Sequence, residues 1–140
     1  MSRARFIRFV LAVVLAGALP AHAQPGRNGI DVFYLGTPDC PYCAHWESQA
    51  RPALLASIQG TAVRYVEIRG RTLREPIDAQ HYPPEHRWVF EQIGPSRGVP
   101  RFLLVVDGKI VASAYGTGGY NRVFLPRLKE AMAQRQMEKT

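Results

Sequence analysis

The sequence has little cysteine, an excess of basic over acidic residues and no long hydrophobic run. Only two of its 140 residues are cysteines, which excludes a disulfide-dense scaffold and a four-cysteine zinc site built within one chain. Lys and Arg number 18 against 11 Asp and Glu, so the formal net charge is +7. A chain of this length corresponds to one ordinary domain, since domains usually run to roughly 100–150 residues.

Residues 1–23 contain no acidic residue and have the pattern of an export signal. Arginines at positions 3, 5 and 8 precede the apolar run 9–19, which is too short to span a bilayer comfortably. Ala21-His22-Ala23 then offers a small-residue cleavage site. The alternative is an uncleaved amphipathic anchor. We predict a signal peptide at 1–23, cleavage near Ala23, and a periplasmic or secreted protein.

The remaining chain has only a modest charge. Setting aside the three arginines of residues 1–23 lowers the net charge from +7 to +4, and no Lys/Arg-rich run remains to follow a phosphate backbone. We therefore expect no nucleic-acid partner. Export also changes the interpretation of the cysteines, because a close pair outside the cytosol tends to be oxidised unless a donor keeps it reduced.

Hydrophobic patterns and turn residues predict one α/β domain over residues 30–137, after a flexible lead-in at 24–29. Strands are predicted at 30–35, 62–68, 101–106 and 109–115. Helices are predicted from Cys40 onward with a kink at Pro52, at 85–93, and at 120–137 after a loop at 116–119. The side chains expected to face the core from the first and last helices are Trp46, Ala50, Ala53, Leu54, Ile58, Val123, Leu125, Leu128 and Met132.

The order of these elements, β-α-β-(α)-β-β-α, predicts a central mixed sheet flanked by helices. Strands joined through helices favour a parallel arrangement, and Asp107-Gly108 is a strong signal for a two-residue hairpin turn. The run 101–106 is almost continuously apolar, which indicates a strand buried on both faces. Residues 69–98 are the least regular stretch and carry several Arg and Pro residues.

The two cysteines stand three positions apart, in Cys40-Pro41-Tyr42-Cys43, where the first strand leads into the first helix. A C-x-x-C motif in a strand–helix–strand context is typical of redox proteins. The free N–H groups and the positive end of the helix dipole favour a thiolate at Cys40, and a thiolate is the form that attacks a disulfide. Cys43 lies about one turn inside the helix, which suits a resolving thiol. A merely structural disulfide would gain little from closing so short a loop.

At these residues the sequence resembles the thioredoxin-fold superfamily, over most of 30–137. The tetrad CPYC is the one found in glutaredoxins, and Val99-Pro100 matches the cis-proline before the family's third strand. The resemblance implies a thiol–disulfide oxidoreductase in which Cys40 is the nucleophile, Cys43 resolves the mixed disulfide, and Val99 and Pro100 dock the substrate. Residues 69–98 resemble the inserted segment of exported thioredoxin-like proteins, which commonly shapes partner choice.

Residues beside the motif are candidates for tuning the pKa of the Cys40 thiol. Asp39 stands where thioredoxins carry Trp, and a carboxylate there opposes thiolate formation, whereas Arg101 could offset it. Pro41 has no backbone N–H to donate to the Cys40 sulfur, whereas the backbone N–H of Tyr42 is available to it.

Two polar residues of the first helix are candidates for proton transfer. Glu47 follows Cys43 by four positions and therefore lies on the same helix face, with His45 nearby. The alternative is that both are solvated helix residues, since spacing alone does not reveal a perturbed pKa.

A metal site is the main alternative of a different class. Cys40 and Cys43 with His81 and His86 have C-x2-C and H-x4-H spacings that fall within the ranges seen for zinc. The long gap between the two pairs, and the prolines between the histidines, argue against it. We predict no metal site, and keep open a redox-linked metal-binding or delivery partner of one exported protein that uses the same cysteines.

The function expected from the sequence is an exported thiol–disulfide oxidoreductase with no cofactor beyond the Cys40–Cys43 disulfide. Its expected partners are exported proteins with thiols or disulfides and a redox recycling partner, which could be membrane-bound. Arg69, Arg71 and Arg74 are interpreted as solvated charges rather than as a dock for an acidic partner. Whether the protein reduces or oxidises its partners is left open by the sequence.

Overall fold

The computed structural model describes residues 28–140, so the predicted signal peptide and most of the lead-in lie outside the described residues. Its strands are β1 (Ile30–Gly36), β2 (Val63–Arg69), β3 (Arg101–Val106) and β4 (Lys109–Tyr115). Its helices are α1 (Pro41–Gln49), α2 (Arg51–Ile58), α3 (Arg87–Ile93), α4 (Gly116–Gly119) and α5 (Leu125–Met137). Two short 3-10 turns, Ala79–His81 and Pro84–His86, precede α3, and a π-helical turn, Tyr120–Phe124, joins α4 to α5.

The four strands form one mixed sheet in the order β2-β1-β3-β4. Strand β1 is parallel to β2 and antiparallel to β3, and β3 is antiparallel to β4. The central strands are buried along almost their whole length, as expected for strands covered on both faces. The predicted mixed sheet flanked by helices is therefore confirmed, with each strand within one residue of its predicted bounds.

Side chains of the two central strands alternate between two hydrophobic clusters, because successive residues of a strand point to opposite faces. Tyr34 and Phe102 belong to the cluster beneath α1, α2 and α5, which also holds the cysteine pair. Phe33 and Leu103 belong to the cluster on the opposite face. Residues 77–93 cover that second face, with Ile77, Tyr82, Trp88 and Val89 all buried against the sheet.

The first helix is interrupted by Ala50 instead of being one kinked helix. Pro52 occupies the first turn of α2, where its missing N–H breaks no helical hydrogen bond. The resulting change of direction leaves Ala53 exposed, so the prediction that it faces the core is wrong. Trp46, Leu54 and Ile58 are buried as predicted. The helix predicted at 85–93 has its first turn as a 3-10 turn.

Residues 116–119, predicted as a loop, are helical and run directly into the π-helical turn and α5. Glycine weakens helices, so the sequence favours a loop, but the burial of Tyr120 and Phe124 against Phe102 stabilises the turn. The π-helical turn shifts the buried face of the segment. Val123, predicted to face the core, is consequently 46% exposed.

The hairpin turn is formed as predicted. Asp107 and Gly108 have φ angles of 50° and 75°, the left-handed pair that a tight two-residue hairpin requires. The Asp107 carboxylate also accepts a hydrogen bond of 2.9 Å from the Gly29 N–H, which attaches the start of β1 to the turn. Within residues 28–140, none of the helices is both long and apolar enough to cross a membrane.

Candidate active site

The two cysteines form a disulfide at the N-terminus of α1, with their Cα atoms 5.1 Å apart. Cys40 is the N-cap residue, and its Sγ accepts a hydrogen bond of 3.0 Å from the Cys43 N–H. Both residues are buried, whereas Tyr42 between them is 71% exposed. Pro41 occupies the first turn, and that turn carries no acidic residue. The Cys40 sulfur therefore lies where a helix end best stabilises negative charge.

The tight connection between β1 and α1 depends on Gly36. A Cβ at that position would lie 2.7 Å from Cζ of Tyr34, because the tyrosine ring covers it. The Cys40 N–H then donates to the Thr37 carbonyl at 3.3 Å, which closes the turn before the helix. This turn fixes where Cys40 leaves the end of the buried strand.

The Val99–Pro100 peptide bond is cis and lies beside the disulfide. The Val99 carbonyl oxygen is 3.8 Å from Cys40 Sγ. Among the described residues, the Val99 N–H makes no backbone hydrogen bond, because the ladder of β3 begins only at Arg101. The Pro100 carbonyl accepts a bond of 2.8 Å from the Gly116 N–H, which joins this loop to the start of α4.

The strand order β2-β1-β3-β4, the cysteine pair at the start of α1 and the cis-proline before β3 occur together in one chain. The chain has a thioredoxin-like fold. This confirms the fold that the sequence resemblance implied. The assignment is based on the arrangement of the chain's own strands, helices and cysteine pair.

Comparisons with known proteins gave structural likenesses alone. No family model matches the chain, and no curated protein matches it either. Among solved structures, the reduced periplasmic thioredoxin SoxS from Paracoccus pantotrophus is 20% identical; the match covers 76% of this chain and 98% of that one, with a TM-score of 0.45. Oxidised mitochondrial thioredoxin 3 from Saccharomyces cerevisiae is 16% identical, with 76% and 79% covered and a TM-score of 0.45. Fasciola hepatica thioredoxin is 16% identical, with 77% and 83% covered and a TM-score of 0.44.

Asp39 binds the segment that follows β2. Its carboxylate accepts hydrogen bonds from the Thr72 hydroxyl at 2.7 Å and from the Leu73 N–H at 2.9 Å. The bond from Thr72, with others from the loop, holds the pKa of Asp39 below its usual range. Sequence reasoning had considered only its charge beside Cys40. The effect of this charge on the pKa of the Cys40 thiol stays a prediction. The structure shows in addition that the Asp39 carboxylate holds residues 71–74 through its bonds to Thr72 and Leu73.

Arg101 contacts β4 and residue 96. Its guanidinium donates to Ser113 Oγ at 3.2 Å and to Ser96 Oγ at 3.3 Å, and its Cζ lies 4.9 Å from the centre of the Tyr115 ring. Within the described chain it makes no ion pair with Asp39, whose partners are Thr72 and Leu73. Arg101 therefore does not offset the negative charge of Asp39 through a direct contact between the two side chains.

Glu47 lies in a hydrogen-bond network that sequence reasoning missed. Its Oε1 accepts a bond of 2.6 Å from the Tyr34 hydroxyl and one of 2.6 Å from Arg69 Nη1. Arg69 also contacts Glu67 at 3.1 Å, and Glu67 in turn pairs with Arg51 at 3.0 Å. The network thus connects β1, α1, β2 and α2. Its only sequence signal was a Glu four positions after Cys43.

The electrostatics of this network make Glu47 a poor proton acceptor. Burial alone would raise its pKa, but the hydrogen bonds from Arg69 and Tyr34 outweigh burial and hold the pKa below its ordinary value. Burial, followed by the bond to Glu47, raises the pKa of Tyr34 well above its ordinary value, so its hydroxyl stays protonated and donates to Glu47. Glu47 is therefore an ionised hydrogen-bond acceptor that connects α1 to β1 and β2. His45, the other candidate for proton transfer, is exposed at the surface of α1.

The residues of the alternative metal site do not assemble. Cys40 and Cys43 are bonded to each other, the Nδ1 of His81 accepts a bond from the Asp78 N–H, and the His86 ring packs edge-on against Phe33. Within residues 28–140, no group of three or more His, Cys, Asp or Glu side chains is arranged to hold a metal ion.

Proposed function

We propose that the protein is a thiol–disulfide oxidoreductase that exchanges the Cys40–Cys43 pair with protein partners. The observation that carries this proposal is the position of Cys40 Sγ, 3.0 Å from the Cys43 N–H at a helix N-terminus and 3.8 Å from the Val99 carbonyl. The first contact favours a thiolate after reduction. In the second contact, the sulfur lies beside a backbone segment whose Val99 N–H makes no backbone hydrogen bond among the described residues.

The exchange proceeds in two displacement steps. The thiolate of reduced Cys40 attacks one sulfur of the partner's disulfide, that disulfide breaks, one partner sulfur leaves as a thiolate, and Cys40 becomes bonded to the other. The thiolate of Cys43 then attacks Cys40 Sγ, the pair closes, and the second partner sulfur leaves. Two electrons pass to the partner, and the two protons of the dithiol end on the partner's thiols. The reverse sequence oxidises a partner dithiol.

Val99 and Pro100 are proposed to hold the partner's backbone during this exchange. An extended segment that pairs with the free Val99 N–H would bring its own sulfur close to Cys40. No organic cofactor or metal is needed, because the dithiol itself carries the two electrons.

Export is proposed from the sequence of residues 1–23, with cleavage near Ala23 and action in the periplasm or outside the cell. The partners would then be exported proteins with thiols or disulfides. A second protein, which could be membrane-bound, would recycle the pair, because an oxidising compartment does not by itself keep a dithiol reduced.

The activity is tested by following the reduction of insulin disulfides in the presence of dithiothreitol. The protein is expected to accelerate the reaction, and Cys40→Ser is expected to abolish the acceleration, with Ser48→Ala on the same helix as a matched control. Acceleration that survives Cys40→Ser would overturn the proposal.

The direction of exchange is tested by measuring the reduction potential of the pair in a glutathione or thioredoxin redox buffer. A value of about −270 mV indicates a reductase, and one of about −120 mV indicates a donor of disulfides.

A further inference from the structure

An open groove of about 460 Å³ lies beside the cysteine pair. Most of the residues that line it have no role in the two displacement steps described above. It is lined by Tyr42, His45, Val99, Pro100, Gly116, Thr117 and Gly118. One wall is the exposed side of α1, the other is α4, and the Val99–Pro100 loop lies between them. None of the lining residues is acidic.

The α4 wall is built almost without side chains. Gly116 has a φ of +64°, a conformation that is strained for any other residue. At Gly118 the space next to the backbone is occupied by Arg122, since a Cβ there would lie 2.9 Å from Arg122 Nη2. The Arg122 guanidinium therefore lies next to Gly118, one of the residues that line the groove.

Arg122 has no carboxylate partner among residues 28–140, a property that it shares with Arg74, Arg87, Arg97 and Arg101. Residues 1–27 cannot supply one either, because they contain no Asp or Glu. Arg97, two positions before Val99, is also exposed and unpaired in the described chain. The arginines that do pair with carboxylates are Arg51, Arg64, Arg69, Arg71, Arg127 and Arg135. Positive charge is thus left uncompensated beside the groove.

A hydroxyl in the same wall also lacks a partner. The Thr117 Oγ1 is inaccessible to solvent and makes no hydrogen bond with any described residue. A buried polar atom without a partner is costly, and such atoms are normally satisfied.

We propose that the groove binds an extended, acidic segment of the partner around its reactive cysteine, and that Arg122 takes a carboxylate of that segment. The inference rests on the proposed exchange activity and specifies the class of partner that the activity serves. The partner's backbone lies along the glycine wall, and its acidic side chain reaches the guanidinium. Arg122 is therefore a specificity-determining residue. Of the three arginines considered from the sequence as a possible acidic dock, Arg69 and Arg71 are already paired with glutamates, whereas Arg74 makes no ion pair in the described chain.

The test uses two peptides, each dimerised through a single cysteine disulfide. One carries Asp on both sides of the cysteine, and the other carries Asn at the same positions. The kcat/KM for reduction by the reduced protein is measured for both and divided by the rate with dithiothreitol alone, which removes differences in the peptides' own reactivity. The expected preference for the Asp peptide is about fivefold, the size of a partly exposed ion pair, and it should shrink as NaCl is raised.

Three variants separate the contact from general charge effects. Arg122→Gln should reduce the preference to near unity, and Arg122→Lys should retain part of it. Arg87→Gln makes the same charge change on α3, which covers the opposite face of the sheet, and should retain the whole preference. Equal rates for both peptides with the wild-type protein, or a preference that survives Arg122→Gln, would overturn the inference while the exchange activity stands. If neither peptide is reduced faster than by Cys40→Ser, the proposed function itself fails.

Discussion

The Tyr34 hydroxyl donates a hydrogen bond of 2.6 Å to Glu47 Oε1, which joins the central strand β1 to the helix that carries the cysteine pair. Tyr34 is fully buried and stacks on Trp46 with 4.5 Å between the ring centroids. Arg69 completes the arrangement with its bond to the same carboxylate oxygen and its Cζ 5.3 Å from the centre of the Tyr34 ring. The hydrogen bonds that Glu47 accepts from Tyr34 and Arg69 therefore help to hold α1 on the sheet, beside the stacked rings of Tyr34 and Trp46.

Tyr34→Phe tests the contribution of this contact. The substitution removes the hydroxyl but leaves the ring and the Arg69–Glu47 pair, so we expect unfolding in urea to show a loss of about 1.5 kcal/mol, as for a hydrogen bond to a charged group. Tyr42→Phe removes a hydroxyl from a 71% exposed side chain and should change stability by less than about 0.5 kcal/mol. Equal stability of the Tyr34 variant and the wild type would contradict the assigned bond.

Acid should destabilise the protein through Glu47 and Glu67. Hydrogen bonds and nearby arginines outweigh burial at both carboxyls and hold their pKa values below the ordinary range. The stabilisation is therefore fully present above the unfolded pKa, roughly 4.3, and is lost as the pH falls through the lower folded pKa.

Urea unfolding between pH 7 and pH 3 measures this effect. Glu47→Gln should be less stable than the wild type at pH 7 and should lose less further stability as the pH falls. Glu85→Gln, which alters an exposed carboxylate without a contact in the described chain, should follow the wild-type curve. If the free energy of unfolding of Glu47→Gln fell with pH as steeply as that of the wild type, Glu47 would not be a source of the acid destabilisation.

Asp39→Ala should release the segment 71–74 from the start of α1. The carboxylate accepts the Leu73 N–H at 2.9 Å, so hydrogen exchange at that amide should become several-fold faster in the variant. The Ile77 amide, bonded to the Ser96 carbonyl at 2.8 Å, provides an internal control that should be unaffected. Because the pKa of Asp39 is lowered, the wild-type protection should persist to a pH below the usual range of an aspartate. Unchanged exchange at Leu73 would contradict the anchor.

Trp46 is expected to stabilise the protein through its ring alone. It is fully buried between Tyr34 and Phe102, and its indole N–H has no partner among the described residues. Trp46→Ala should cost about 3–5 kcal/mol through the cavity that it leaves. Trp46→Phe sacrifices no hydrogen bond and should lose less than half as much in the same urea titration. Equal losses in the two variants would indicate a polar role for the indole.

The fold could be predicted largely from local signals. The buried strand 101–106, the Asp107-Gly108 turn and the C-x-x-C motif after a strand each depend on residues close together in the sequence. Helical Gly116–Gly119 was not predictable in this way, because its stability comes from Tyr120 and Phe124 packing on distant Phe102. The π-helical turn then exposed Val123, which regular helical spacing had placed in the core.

The candidate site was predictable only in part for the same reason. The cysteine pair and Val99-Pro100 carry recognisable motifs. The partners of Asp39 lie 33 and 34 positions away, and Arg69 lies 22 positions from Glu47. No spacing rule relates such residues, because the sheet brings them together. The unpaired state of Arg122 is likewise visible only once the other arginines have been assigned their carboxylates.

The most direct test of the central assignment is to trap the mixed disulfide. Cys43→Ser removes the resolving thiol, so incubation with a disulfide-containing exported protein should accumulate a covalent complex through Cys40, detectable by mass spectrometry and reversed by dithiothreitol. Cys40→Ser should accumulate none under the same conditions, because Cys43 lies inside α1 and not at its N-cap, beside the Val99–Pro100 loop. A complex formed equally by both variants, or only by Cys40→Ser, would contradict Cys40 as the attacking thiol.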